Sequence, residues 1–161
     1  MKQFMTVIYR LDVSFQIVAG IVLAFMMGVT LTDVIMRFFG KPIVGSMELV
    51  CFSGAVVVGF AIPYSSWSKA HVYVDFLQDR FSTRARSLLQ VFTRLIGIIL
   101  FLFIGVNFIF YGFNLMKTGE VSPGLKIPYY PIPFGLALSC FLESLTLFCD
   151  LLKLFKVGDY E

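Results

Sequence analysis

The chain has 161 residues, of which 58% are hydrophobic and 14% are charged, whereas a soluble domain carries about 25% charged residues. A soluble fold of this size has too little interior to bury so much apolar surface, so a water-soluble enzyme and a disordered chain are both excluded. The net charge is +3, but the basic residues are scattered along the chain, so a nucleic-acid-binding surface is also excluded.

Residues 1–12 are predicted to form a short amphipathic helix that lies in the membrane interface. Phe4, Ile8 and Leu11 follow the spacing of one helical face, and Asp12 lies off that face. A run without charged residues follows from 13 to 32, and it predicts a first spanning helix over residues 13–36. We expect the chain to turn from the interface into the membrane between these two segments.

Three further apolar segments are long enough to cross a membrane, which takes about 20 residues. With the interfacial helices they complete a single all-α membrane domain over residues 1–161. The segments after the first span are a second span over 46–67, a horizontal interfacial helix over 70–81, a long third span over 83–116 and a fourth span over 132–152. The segments before span one, between spans two and three and after span four together carry nine lysines and arginines, and the other two loops together carry four. The positive-inside rule therefore places both termini in the cytoplasm.

The sequence carries no recognisable catalytic, metal or cofactor site. It has three cysteines, all inside predicted spans, and one histidine. A haem held by two histidines and a histidine-rich metal centre are therefore excluded. Phosphate-binding loops and nucleophile motifs are also missing from the sequence. We expect a protein that is not an enzyme and binds no cofactor.

Charged residues at the ends of spans one and two form the first candidate site. Asp33 and Arg37 are four residues apart on one face of span one, and Glu48 begins span two near the same level. Three interpretations are open. The residues form a charge cluster that closes the hairpin, a contact site for a partner protein, or a substrate site built by this chain alone.

Glu143 is a second candidate, because a carboxylate near the middle of span four is costly unless it faces protein or water. It either pairs with a polar group inside this chain or faces a partner membrane protein. A role in proton transfer would need more than one deep carboxylate. After span two, His71 is interpreted as a turn residue bonded to Asp75, as an anchor for the horizontal helix, or as a pH switch.

Four short motifs follow one another between residues 13 and 152. They are, in chain order, Asp-x-x-x-Arg at Asp33 and Arg37, Gly-x-x-Glu-Leu at Gly45 and Glu48, His-Val-x-Val-Asp at His71 and Asp75, and Ser-x-x-Leu-x-Ile-Pro from Ser122 to Pro128. An aromatic residue and a Pro-x-Gly sequence follow the last motif. In this order, the motifs resemble those of the small membrane subunit of the tripartite ATP-independent periplasmic (TRAP) transporters.

This resemblance implies a multi-pass protein of the bacterial inner membrane that partners a large membrane subunit holding the substrate and sodium sites. A soluble periplasmic binding protein would deliver the substrate, typically an organic acid such as a dicarboxylate, a keto acid or sialic acid. The small subunit is expected to enlarge the static scaffold, to contact membrane lipids and to help dock the binding protein. The expected docking residues lie in the outer loops: Lys41, Lys117, Ser122, Lys126, Tyr129 and Tyr130. The residues expected in structural or partner contacts are Asp33, Arg37, Gly45, Glu48, His71, Asp75 and Glu143.

Three other functions fit parts of the sequence. An oligomer of this chain would act as a self-sufficient small transporter or channel, but small exporters of this kind carry a carboxylate deep in the first span, and residues 13–32 contain none. A membrane anchor of a redox complex is disfavoured by the lone histidine. A purely structural membrane protein would lack the large subunit as a partner.

Overall fold

The computed structural model describes residues 2–67 and 83–157 of the chain. The helices in these residues are α1 (Lys2–Phe38), α2 (Ser46–Trp67), α3 (Thr83–Thr118) and α4 (Pro131–Val157). The described residues contain no strand, and one isolated antiparallel bridge joins Val121 to Pro128 before α4. Each helix contains a stretch long and apolar enough to cross a membrane. The predicted all-α fold with four membrane-spanning helices is therefore confirmed, whereas the cytoplasmic placement of the termini stays a prediction.

Helix α1 is longer than the span predicted for it. It runs without interruption from Lys2 to Phe38, which is about 55 Å at roughly 1.5 Å per residue, whereas the sequence pattern separates residues 1–12 from the span that follows. Its first glycine is Gly20 and it contains no proline, so nothing in the sequence breaks the helix near residue 12. Leu11, expected on the apolar face, is exposed, and Asp12, expected off that face, is fully buried.

Helix α4 occupies the centre of the arrangement. It packs against α3 on one side and against α2 on the other, and α1 packs mainly against α2. In its most apolar stretch 44% of the residues are buried, compared with 11% in the corresponding stretches of α1 and α3. The interior is therefore formed mainly by side chains of α4. Helices α1 and α3 expose broad apolar faces that lipid or another protein can contact.

The contact between α2 and α4 depends on a glycine. A Cβ atom at Gly59 would lie 2.1 Å from Leu136 Cδ2, so any side chain there would force Leu136 to move or the two helices to separate. The hydroxyl of the buried Ser139 donates a hydrogen bond to the carbonyl oxygen of Gly59. A small residue and an interhelical hydrogen bond are the usual devices by which helices associate within a membrane.

A groove of about 450 Å³ runs between α2 and α3, with α4 as its floor. Its walls are apolar and include Val58 of α2, Phe101 and Phe108 of α3 and Leu136 of α4. Large side chains elsewhere on the outer faces, such as Ile21 of α1, are also exposed. Such surfaces are typical of a protein whose surroundings are lipid rather than water.

Candidate functional site

The loop end of the molecule, defined here as residues 39–45 and 119–130 with the adjoining helix termini, contains most of the predicted site residues. Its first loop is held by Asp33. One carboxylate oxygen, Oδ1, accepts a hydrogen bond of 3.0 Å from the backbone N–H of Ile43, and Oδ2 accepts one of 2.8 Å from Arg37 Nε. Gly40, at a φ of 72°, ends the helix before this loop. Asp33 and Arg37 therefore form the connection that closes the α1–α2 hairpin, which was one of the open interpretations.

Glu48 does not take part in that cluster but binds the other loop. Its Oε1 accepts a hydrogen bond of 2.7 Å from the backbone N–H of Gly124, and its Oε2 accepts one of 2.9 Å from Leu125 N–H. A carboxylate that accepts from two successive backbone N–H groups is held by charge-assisted bonds, which are stronger than neutral ones. Glu48 therefore fastens residues 119–130 to the start of α2.

Gly45 is required at the same place for two separate reasons. Its φ of 81° lies in the left-handed region, where side chains are strained. In addition, a Cβ atom there would lie 2.4 Å from Leu125 Cγ. The Gly-x-x-Glu spacing thus places a residue without a side chain under the tip of the loop and a carboxylate on its backbone.

The loop from 119 to 130 has a defined internal structure. The Ser122 N–H donates to the carbonyl of Ile127 at 2.9 Å, and the Ile127 N–H donates back to Ser122 Oγ at 3.1 Å. Lys126, at the turn between them, has a φ of 54°. Ser122 is 0% exposed, so its side chain shapes the turn and cannot itself contact a partner.

The remaining docking candidates lie on the outside of this structure. Lys41, Lys117 and Lys126 are exposed. Tyr130 is also exposed, whereas the ring of Tyr129 packs edge-on against Phe52 of α2 with centroids 5.3 Å apart. The loop end therefore presents three lysines and a tyrosine on a backbone that is hydrogen-bonded in place.

A second polar site lies far from the loop end, and we call it the acid cluster: Asp12, Ser66, Trp67, Glu143 and Thr146. Trp67 Nε1 donates a hydrogen bond to Asp12 Oδ2, and Thr146 Oγ1 donates to the same oxygen at 2.9 Å. Ser66 Oγ donates to Glu143 Oε1. Glu143 is 1% exposed, so its side chain points into this chain and not toward a partner protein.

Asp12 is the member of the acid cluster whose burial the sequence pattern did not predict. It was placed on the polar side of an interfacial helix, yet its side chain lies between α1, α2 and α4 with no exposure. A signal was present, since Ile8, Asp12 and Ala19 fall on one face of a continuous helix, and all three are buried. The predicted helix over 70–81, with His71 and Asp75, lies outside the described residues.

The family comparison matches residues 26–157 to the family described as Tripartite ATP-independent periplasmic transporters, DctQ component. The chain belongs to this family. The DctQ component is the small membrane subunit of a TRAP transporter, so the chain is a multi-pass membrane protein and a transporter component of a family that is not an enzyme family. No individual curated protein matches the chain.

Membership implies that the small subunit associates with a large membrane subunit and with a substrate-binding protein. The matched residues 26–157 contain the whole loop end and Glu143, whereas Asp12 lies before the first matched residue. The hydrogen-bonded loop end of the small subunit thus lies entirely within the residues that match the family.

Proposed function

We propose that the small subunit supports sodium-coupled uptake of an organic acid across the bacterial inner membrane. In this function it extends the static scaffold of the large subunit and helps to dock the periplasmic binding protein at the loop end. The observation that carries the docking proposal is the attachment of residues 119–130 to α2 by both oxygens of Glu48. A docking surface that is already ordered loses less conformational entropy when a partner binds.

The scaffold part of the proposal is supported by the exposed apolar faces of α1 and α3. Phe25 and Leu31 on α1, and Ile99 and Phe103 on α3, are more than half exposed in the isolated chain. Lipid tolerates such faces, but so does a second membrane protein that packs its helices against them. A static scaffold needs a broad and featureless contact of this kind.

Reconstituted uptake tests the function directly. Proteoliposomes would contain the large subunit and the binding protein encoded beside this chain, with and without the small subunit, and uptake of candidate dicarboxylates, keto acids and sialic acid would be followed under an inward sodium gradient. We expect uptake to require both the small subunit and the gradient. Equal uptake without the small subunit would refute the scaffold role, and uptake without sodium would refute the coupling.

The docking role is tested by charge reversal on the exposed lysines of the loop end. In Lys41→Glu and Lys126→Glu, we expect uptake at limiting binding-protein concentration to fall several-fold and to recover when the binding protein is saturating, because rim charges mainly change the association rate. Arg10→Gln is the control, since it removes an exposed positive charge from α1 far from this surface. Unchanged uptake in both lysine variants, or the same loss in the control, would contradict docking at the loop end.

A further inference from the structure

The acid cluster contains buried oxygens that no hydrogen bond satisfies. Asp12 is 0% exposed and Glu143 is 1% exposed. Among the described residues, Asp12 Oδ1 and Glu143 Oε2 have no hydrogen-bond partner, and the same is true of the buried Oε1 of Gln16, one turn further along α1. Each unsatisfied buried polar atom costs free energy, and an ionised carboxylate costs far more. Two buried carboxyls among the described residues thus each have an oxygen whose burial no hydrogen bond offsets.

The two carboxyls are brought together by three helices. Ser66 and Trp67, which are adjacent at the end of α2, donate to Glu143 and to Asp12 respectively. Thr146, one turn after Glu143 on the same face of α4, donates to Asp12 Oδ2. Asp12 and Glu143 thus belong to one site at the junction of α1, α2 and α4.

Within the described residues, the charged and titratable groups around this site do not neutralise the negative charge of the two carboxylates. On the α3 side, Arg94 forms an ion pair with Asp150 of α4. On α1, the ring of Tyr9 packs edge-on against Trp67. Along α2 and α4, the titratable residues within three positions of the cluster's described members are Tyr64, Cys140 and Cys149. In the part of the chain that the structure describes, neither Asp12 nor Glu143 forms an ion pair. The donors that reach the two carboxyls from the described residues, Ser66, Trp67 and Thr146, are neutral groups.

We propose that Asp12 and Glu143 form a proton-binding site, which holds at least one proton at pH values where an exposed carboxyl is ionised. Each proton comes from water and forms one O–H bond on a carboxyl, so the net charge of the site becomes less negative by one. The new O–H is a donor, and the unpartnered oxygens of the site are acceptors for it. One proton therefore removes a buried charge and satisfies unpaired oxygens at the same time.

A proton fits this site better than a metal ion does. Three unpartnered oxygens are available, whereas an ion such as Ca²⁺ takes six to eight oxygen ligands. A proton requires no further ligand. The site is independent of the loop end and of the docking role, so its test does not depend on them.

Infrared spectroscopy of the purified complex with the large subunit tests the proposal. Spectra would be recorded for wild type and for the double variant Asp12→Asn with Glu143→Gln over a range of pH above about 4, where an exposed aspartate is ionised. We expect the carbonyl band of a buried protonated carboxylic acid in wild type and its complete loss in the double variant. A wild-type spectrum without this band, or a band of full size in the double variant, overturns the proposal.

Asp33→Asn is the matched control, because Asp33 lies on the same helix but both of its oxygens accept hydrogen bonds. Its substitution is expected to leave the band unchanged. If the double variant does not assemble, the two single variants take its place. Removing either carboxyl changes the hydrogen bonding of the other, so the band must change in position or area. A band that is identical to wild type in both single variants overturns the proposal.

The pH dependence of stability supplies a second readout. In the pH range in which the folded site is protonated but the same carboxyls would be ionised in the unfolded chain, the folded state binds more protons. The free energy of unfolding therefore falls as pH rises through that range. We expect the thermal midpoint of wild type to fall more steeply with pH than that of the double variant, and equal slopes would contradict the proposal.

Discussion

The loop end and the acid cluster each depend on two carboxylates, but these are satisfied in opposite ways. At the loop end, Asp33 and Glu48 have both oxygens hydrogen-bonded, to backbone N–H groups and to an arginine. In the acid cluster, Asp12 accepts from Trp67 and Thr146 on Oδ2, and Glu143 accepts from Ser66 on Oε1. The second oxygen of each carboxyl has no hydrogen-bond partner within the described ranges 2–67 and 83–157.

This difference indicates what each pair of carboxylates does. Ionised carboxylates are strong acceptors, so those of the loop end can hold two loops in fixed positions at the surface. A buried ionised carboxylate whose donors are all neutral carries a large free-energy cost. Such carboxyls therefore stabilise helix packing only when they are largely protonated. The loop end is thus suited to recognition by a partner, and the acid cluster links helix packing to proton binding.

The largest expected effect comes from crowding the loop end. In Gly45→Ala, the positive φ costs about 1–3 kcal/mol, and the Cβ placed 2.4 Å from Leu125 Cγ adds roughly 1–3 kcal/mol of overpacking. Gly40→Ala is the matched control, because its φ is also positive but nothing lies within 4 Å of the new Cβ. Thermal unfolding in lipid nanodiscs should show a clearly larger loss at Gly45, and equal losses would mean that Leu125 moves aside freely.

An intermediate effect is expected from removing one donor of the acid cluster. Thr146→Val keeps the side-chain shape but deletes the hydroxyl that donates to Asp12 Oδ2 at 2.9 Å. We expect a loss of about 1–2 kcal/mol in unfolding free energy, since interhelical hydrogen bonds in membranes contribute roughly that much. Thr93→Val is the control, because its exposed hydroxyl bonds within its own helix to Leu89 O. An equally large loss in Thr93→Val would contradict a specific contribution of the hydrogen bond between Thr146 and Asp12.

The smallest effects on stability are expected from removing the arginine of each ion pair, and they should differ between the two pairs. Arg37 is 57% exposed in its pair with Asp33, whereas Arg94 is 12% exposed in its pair with Asp150. Exposed arginines contribute little to an ion pair and are screened by salt, and Asp33 keeps the hydrogen bond from Ile43 N–H, so Arg37→Ala should lower the unfolding midpoint only slightly. Arg94→Ala should lower it measurably, because it removes a mostly buried ion pair that joins α3 to α4 beside the acid cluster. A midpoint that falls more in Arg37→Ala would reverse this order.

Much of the architecture was predictable because a membrane imposes a simple rule on the sequence. Uncharged runs of about 20 residues must be helices, since only a helix satisfies its backbone groups within lipid. Helices α2 and α3 begin at Ser46 and Thr83, and serine and threonine are typical first residues of helices. Residue 12, where the pattern placed a boundary, has no such signal and lies inside α1. The order of the four motifs was specific enough to indicate the family, which the match over residues 26–157 confirms.

The sites were predictable only in part, because their contacts join residues that are distant in sequence. The spacing of Asp33 and Arg37 on one helix is local, and the bond between them follows from it. Glu48 was predicted to lie near Asp33 and Arg37, because it begins span two at a similar depth in the membrane. Its partners are instead Gly124 and Leu125 in the other loop. The choice of partner depends on how the hairpin α1–α2 meets the hairpin α3–α4, which no local pattern encodes.

The sequence by itself determined the four spans and the family, since both depend on the nature and order of residues along the chain. The tertiary structure alone decided which oxygens are satisfied. It turned Glu143 inward, buried Asp12, and left one oxygen of each without a donor from the part of the chain that the structure describes. The physical reason is that a hydrogen bond needs two groups about 3 Å apart, and helix packing sets that distance for residues separated by as many as 134 positions.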